Sequence, residues 1–312
     1  MLFYMKFFLL MMYFMTFVSD LHAVTVNLQP ASQQKKKSPA GELSKSVKEV
    51  SKRPSLHKPN TLPDIQKILK GGKLIVAQFS GERFPFFFTA DDGNRIGLDR
   101  SIAEEIAHSI HPDLKVEILS SAKTFNETVD QVASGEAHIA ISKLSYTSER
   151  AKKIIYVAPP YVDLKVSFLI DRLKLAKLPA NVSVAEMFSK KNKQKLCVIK
   201  DSSQVDNAKF LVPDAELMYA DTADHSYQLL FAGQCTALFY DDNELRLKLM
   251  QNPNLNLNYK AISIADKGDP ISIIVGIEFS ELADYIGVQY AHNAFKKRHI
   301  KDEIEKYKGY LK

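Results

Sequence analysis

The chain has 312 residues, 46% of them hydrophobic and 25% charged, the balance of a folded globular protein with room for more than one domain. Its formal charge of +6 is local, because residues 24–60 hold eight basic groups against two acids and the body from residue 61 onward is neutral. A neutral body lacks the basic face that follows a phosphate backbone, which argues against nucleic-acid binding.

At the N-terminus, Lys6 precedes the apolar run Phe7–Val18, and the small residue Ala23 follows. That run is short for a membrane span and suits the core of a secretory signal, so residues 1–23 are read as a signal peptide and the protein as periplasmic. Leu21 is bulky for the position three residues before a cut at Ala23, so an uncleaved anchor is the alternative. Residues 24–60 are rich in Ser, Pro, Gln and Lys, a composition that buries too little surface to offset chain entropy. They predict a disordered basic linker, drawn here from 24 to 66, which has a second use in weak contact with an anionic membrane surface.

From Lys73 the pattern alternates short β-rich runs with amphipathic helices. Lys73–Gln78 reads as a strand. Ile102, Ala103, Ile106, Ala107 and Ile110 fall at helical spacing within Asp99–Ile110. Val116–Leu119 is a strand, Thr124 and Glu127 form a capping box before a helix through Ala133, and Gly135 stops it. His138–Ser142 and Lys165–Asp171 are strands. The series then repeats: a capping box at Ser183 and Glu186, strand Lys195–Ile199, helix Gln204–Leu211, and extended Glu216–Tyr219. A helix from Asp221 ends at Gly233, strand Thr236–Tyr240 follows, and a last helical stretch opens at Ser280. Two such series predict two α/β lobes, each a mainly parallel sheet flanked by helices, with a ligand cleft between them. The boundaries read as 67–172 for the first segment of lobe one, 173–265 for lobe two, and 266–312 for a return to lobe one.

Cys197 and Cys235 are the two cysteines. In an oxidising compartment they pair if their Cα atoms approach closely, and two buried free thiols are the alternative. Neither has histidines at zinc spacing. Glu104, His108 and His111 have a spacing that holds metals, but solvated side chains at a helix C-terminus explain them better. No metal or cofactor is expected.

Several segments in order carry a family resemblance: Phe84-Pro85-Phe86 after the first strand, Gly97-Leu98-Asp99 opening the first long helix, Ser134-Gly135, Thr147-Ser148-Glu149-Arg150, and Pro160-Tyr161. From about Lys73 onward the chain resembles the periplasmic amino-acid-binding proteins that serve ABC importers, which have a two-lobed periplasmic-binding fold. The resemblance implies that Arg150 grips a ligand α-carboxylate with its planar fork. It implies stacking by Phe125, with Phe84 or Arg83 as the second stacking residue, and polar contacts from Ser142 and Ser145. In lobe two it assigns contacts to the loop holding Lys200 and Ser203, and the ligand's ammonium to Asp241. The sequence departs from relatives at Lys143, where they usually have glycine, at Ser202-Ser203-Gln204, where they have a glycine, and at Phe79, where many have a small polar or acidic residue.

The implied function is a monomeric, exported solute-binding protein that closes on a small polar ligand, an amino acid or small organic acid, for an ABC permease. If Lys143 joins Arg150 and Lys200 around the cleft, the ligand is expected to be acidic. Two other classes compete. A cyclohexadienyl dehydratase-like enzyme on this fold would recruit Asp201 or Asp241 as a proton donor, and a sensory module would report occupancy to another envelope protein. Nucleophile elbow, HExxH and phosphate-loop motifs are lacking.

Overall fold

The computed structural model describes residues 61–179, 182–192, 194–292 and 298–311. The signal segment and the linker as far as residue 60 lie outside the described residues.

The first helix, α1 (Pro63–Gly71), begins inside the stretch assigned to the linker, so that boundary is corrected. Proline suits a first helical turn, where no partner awaits its missing N–H. Ile65 and Ile68 bury into the first lobe, and the Asp64 carboxylate accepts the backbone N–H groups of Glu281 and Leu282. Ile65, Ile68 and Leu69 make only one helical repeat in nine residues, too short a pattern to mark a helix in advance.

Lobe one continues through β1 (Lys73–Phe79), β2 (Phe88–Thr89), β3 (Arg95–Ile96), α2 (Leu98–Ile110), β4 (Lys115–Ala122), α3 (Phe125–Ala133), β5 (Ile139–Ser145), α4 (Ser148–Ala151) and β6 (Ile154–Tyr156). Strand β7 (Val162–Asp171) crosses to the second lobe. There follow α5 (Arg172–Ala176), α6 (Val184–Met187), β8 (Lys195–Ile199), α7 (Ser203–Leu211), β9 (Glu216–Ala220), α8 (Ala223–Phe231), β10 (Ala237–Asp241), α9 (Asp242–Gln251) and α10 (Leu255–Asn258). The long strand β11 (Tyr259–Gly276) returns to lobe one, where α11 (Ser280–Ala291) and α12 (Ile300–Tyr307) complete the described chain.

The strands run in the order β4-β1-β5-β11-β7-β10-β8-β9, with β6 on β11. Within the lobes β1 pairs in parallel with β4 and β5, and β8 pairs in parallel with β9 and β10. In this sheet, among the described residues, antiparallel pairing enters with the two joining strands, β7 and β11, while β2 and β3 form a separate antiparallel pair. Their register slips between Ser263 and Gly268, midway between the lobes. Val166, Phe168 and Ile170 already pack in the second lobe's core, while Val162 and Leu164 pack in the first. The outward crossing therefore falls inside β7, ahead of residue 172, and the return lies inside β11. Leu282, Ala283 and Ile286 of α11 join the first core, as the crossing back requires.

The capping signals hold locally. Ser183 and Glu186 form the reciprocal box, whereas Thr124 accepts the Glu127 N–H but Glu127 reaches back to the Lys123 N–H instead. Cys197 in β8 and Cys235, just before the neighbouring strand β10, come to a Cα separation of 5.9 Å and form a disulfide in the second core. The open choice between bridge and free thiols is settled as a bridge.

That bridge spans 38 residues of sequence, and loop closure of that length stabilises by about 4 kcal/mol on the chain-entropy account. Replacing Cys197 and Cys235 together by alanine is expected to lower the thermal unfolding midpoint by several degrees while leaving the circular dichroism spectrum native. An unchanged midpoint would contradict this.

Candidate functional site

The cleft is floored by the end of β5, and a backbone irregularity there decides its chemistry. Ser145 and Leu144 pair with Ile271 and Ser272, but Ala140 pairs with Ile274, so residues 141–143 stand opposite a single residue. Lys143 absorbs this bulge with φ of +50°, a left-handed conformation that favours glycine and costs a lysine on the order of 1 kcal/mol. Its N–H donates to Asp99 Oδ2 at 3.0 Å, and the Tyr161 hydroxyl donates to Asp99 Oδ1 at 2.9 Å. Asp99 reaches this position because Gly97, at φ +125°, lets the start of α2 press against the Phe84–Phe86 segment, where a Cβ would strike the Phe86 carbonyl.

The Lys143 side chain turns into the cleft and crosses it. Its Nζ donates to Asp241 Oδ2 at 2.5 Å and to Glu244 Oε1 at 3.0 Å, both on lobe two. Lys143 is 7% exposed and Asp241 is 2% exposed, so the pair is withdrawn from water. Phe86 and Tyr240 lie beside the ammonium at 5.3 and 5.5 Å. Burial alone would lower the ammonium's pKa, but Asp241 and Glu244 outweigh it and hold the group above its ordinary value. Asp241 Oδ1 is buried and has no hydrogen-bond partner among the described residues.

A second cation follows the same course. The Arg83 guanidinium lies over the rings of Phe79 and Phe125, at 5.0 and 5.6 Å, and feels the charge of Glu244 and Asp241 across the cleft. Phe79 and Phe125 stack on each other at 4.9 Å. Burial opposes the charge on Arg83, and Tyr240, Glu244 and Asp241 together raise its pKa despite that. The aromatic pair therefore already holds the chain's own guanidinium.

Arg150, in α4, is the third cation, 6% exposed. Its Nη1 donates to the Ser145 carbonyl at 3.1 Å and its Nε to Asn126 Oδ1 at 3.3 Å. No described carboxylate forms an ion pair with it, and burial pulls its pKa below the ordinary value. Beside it the Ser203 hydroxyl donates to Ser145 Oγ, and the Ser145 hydroxyl donates to Asp269 Oδ2, each at 2.9 Å, so serines also join the lobes. Burial, reinforced by Asp241, pushes the Asp269 carboxyl up to about 7.

The space among Phe125, Lys143, Ser145, Arg150, Ser203, Gln204, Tyr240 and Asp241 is about 10 Å³, room for one water-sized group. Arg150 and Ser203 also line an outer cavity of about 410 Å³, with Asn126, Thr147, Ser202 and Lys200.

Phe125, Lys143, Ser145, Arg150, Ser203 and Asp241 converge on the inner space, Lys200 lines only the outer cavity, and Phe84 and Ser142 reach neither. Phe84 packs on Phe88, which in turn meets Tyr307 and Tyr310, so Arg83 takes the place in the cleft. Ser142 is buried between β1 and β5, its hydroxyl accepting the Phe79 N–H. Lys200 stands half-exposed with its ammonium 2.6 Å from Asp221, so it adds no unbalanced charge to the cleft. Glu244 and Asp269 were missed. Their neighbours in sequence show nothing unusual; only the crossing of β11 and the first turn of α9 bring them in.

The match to known proteins agrees with this architecture. The family model for bacterial extracellular solute-binding proteins, family 3, matches residues 75–269, more than half of the chain. The chain belongs to that family. Among solved structures, a mutant of ArgBP from T. maritima superposes with a TM-score of 0.60 at 19% identity, covering 79% of this chain and 99% of that one. AbpA from Streptococcus pneumoniae, bound to L-arginine, gives 0.59 at 22%, covering 77% and 96%. An ancestral amino-acid-binding protein described as a precursor of cyclohexadienyl dehydratase gives 0.59 at 20%, covering 80% and 99%. Identities this low carry the two-lobed fold and no more. No curated protein matches the sequence. Among the described residues no helix is long and apolar enough to cross a membrane.

The floor of the cleft should respond to pH. Burial pushes the Asp99 carboxyl up to about 8, against the opposing pull of Tyr161 and Lys143. A carboxyl whose pKa is raised on folding binds a proton that the unfolded chain has released, so its contribution to stability is lost as pH rises from about 4 to about 8. Asp99→Asn cannot ionise, and its amide can accept from Lys143 and donate to Tyr161. Urea midpoints at pH 5 and pH 8 should therefore differ less in the variant than in the wild type. An equal difference in both would contradict the assignment.

Proposed function

We propose that the chain is an exported solute-binding protein that captures a small carboxylate-bearing solute, of amino-acid size, between its lobes for delivery to an ABC importer. The observation that carries this reading is Arg150. It is a buried guanidinium with no carboxylate partner among the described residues, at the boundary of an open 410 Å³ cavity. Burying a charge without a counter-ion is costly, and a planar fork answers a carboxylate with two parallel hydrogen bonds. The bound lobe-to-lobe contacts of Ser145 with Ser203 lie beside it, so a ligand there would touch both lobes and favour their closure. Export and the importer rest on the family and on the N-terminal signal pattern.

Arginine, named in the solved relatives, fits poorly here, because the Phe79–Phe125 pair that would receive a ligand guanidinium holds Arg83. The dehydratase alternative finds no supporting group: Asp201 is exposed at the outer cavity, and Asp241 is held by Lys143. A binding role accounts for the site more simply.

A thermal-shift screen of amino acids and small organic acids would identify the ligand, and calorimetry would measure its affinity. Arg150→Ala is expected to leave the fold intact and weaken binding about tenfold or more, the usual consequence of removing one partner of a charge-assisted bond. Unchanged affinity would overturn the carboxylate assignment.

A further inference from the structure

We propose that Lys143 stands in for the α-ammonium of an amino acid, so that the cleft selects acids carrying a neutral donor, a hydroxyl, at that position. The inference rests on the reading above, in which Arg150 holds the ligand's carboxylate.

The geometry comes first. Asp241 is the carboxylate that the family resemblance assigns to a ligand ammonium, and the ammonium it meets here belongs to the chain. Lys143 reaches it from the opposite lobe at 2.5 Å and takes Glu244 as well at 3.0 Å. The lysine occupies a left-handed backbone position that suits glycine, so its stem is directed into the cleft at a conformational cost. A side chain that long would ordinarily carry its charge out to water. This one does not.

Charge comes second. Lys143 and Arg83 balance Asp241 and Glu244 in the innermost part of the cleft. A ligand ammonium brought here would set three cations against two carboxylates where little water is left, and an uncompensated desolvated charge is strongly unfavourable. Asp269 offers little relief. Its carboxyl already accepts the Ser145 hydroxyl, and burial beside Asp241 pushes it up to about 7.

Hydrogen bonding comes third, and it says what the site does want. Asp241 is one of the residues lining the innermost space, and its Oδ1 is buried without a hydrogen-bond partner among the described residues. A buried acceptor left unsatisfied costs about 1–3 kcal/mol. The space beside it, about 10 Å³, admits one water-sized group. A hydroxyl is that size, donates one hydrogen bond and brings no charge. The carboxylate of the same ligand is then left for Arg150, which lines the same space.

The test uses pairs of acids that differ only in ammonium or hydroxyl at the α-carbon: L-alanine and L-lactate, L-aspartate and L-malate, L-glutamate and L-2-hydroxyglutarate. Calorimetry is run on the full mature chain and on Lys143→Gly, whose glycine suits the left-handed backbone. Lys143→Met is added because it keeps the stem and removes the charge. The wild type is expected to bind the hydroxy acid of its best pair about tenfold or more tightly than the amino acid. Both variants are expected to lose that preference, and Lys143→Gly to reverse it. Tighter binding of the amino acid by the wild type overturns the inference while leaving the carboxylate reading intact. The same preference in wild type and both variants also overturns it. A wild type that binds neither member of any pair overturns the carboxylate reading, and this inference falls with it.

Discussion

The buried ion pair between Lys143 and Asp241 is the contact on which the rest of the cleft depends. It runs from the floor of one lobe to the end of strand β10 in the other, with Glu244, in the first turn of the following helix, as a second acceptor. A pair of this kind gives little net stability compared with apolar packing, because both charges must first be stripped of water. Breaking it is another matter, since the partner left behind is a buried charge that has lost its main counter-ion. The lobes therefore have a reason to stay together that does not come from a ligand. The hydrogen bond from Ser203 to Ser145 adds one more crossing.

Everything that makes this pair available is backbone geometry. The bulge in β5 turns residue 143 toward the cleft, Asp99 secures its N–H from beneath, and Gly97 admits Asp99 to that place. The two joining strands β7 and β11 slip register where the lobes meet, which is where a hinge would be sited. On the proposed reading, closure and recognition share one set of residues. On that reading a solute meets charges already balanced at Lys143 and Asp241, and its carboxylate is left for Arg150, which has no ion pair among the described residues.

The fold was legible because its signals are local and repeated. Apolar spacing in Ile102–Ile110, the Ser183–Glu186 box and the β-rich run Lys195–Ile199 each specify an element without help from distant residues. The first helix escaped notice because Ile65, Ile68 and Leu69 give a single short repeat, and its start is fixed by Asp64 meeting a helix more than 200 residues away. The converging set of Phe125, Ser145, Arg150, Ser203 and Asp241 was legible through the order of short motifs. What those motifs did not carry was occupancy. Lys143 was visible as a departure, but its partners Asp241 and Glu244 lie about a hundred residues away and depend on how the lobes meet. Arg83 and Phe84 were indistinguishable in sequence, and only the packing of Phe84 against Phe88 separates them.

The central claim is that the Lys143 ammonium occupies the cleft when no solute is bound, and nuclear magnetic resonance of that group tests it most directly. In ligand-free protein labelled with ¹⁵N at lysine Nζ, near neutral pH, exposed ammonium protons exchange with water too fast to be seen. A buried ammonium bonded to two carboxylates should give a protected signal that vanishes in Lys143→Gly and shifts in Asp241→Asn. A wild-type spectrum without such a signal, or one that persists in Lys143→Gly, would contradict the account.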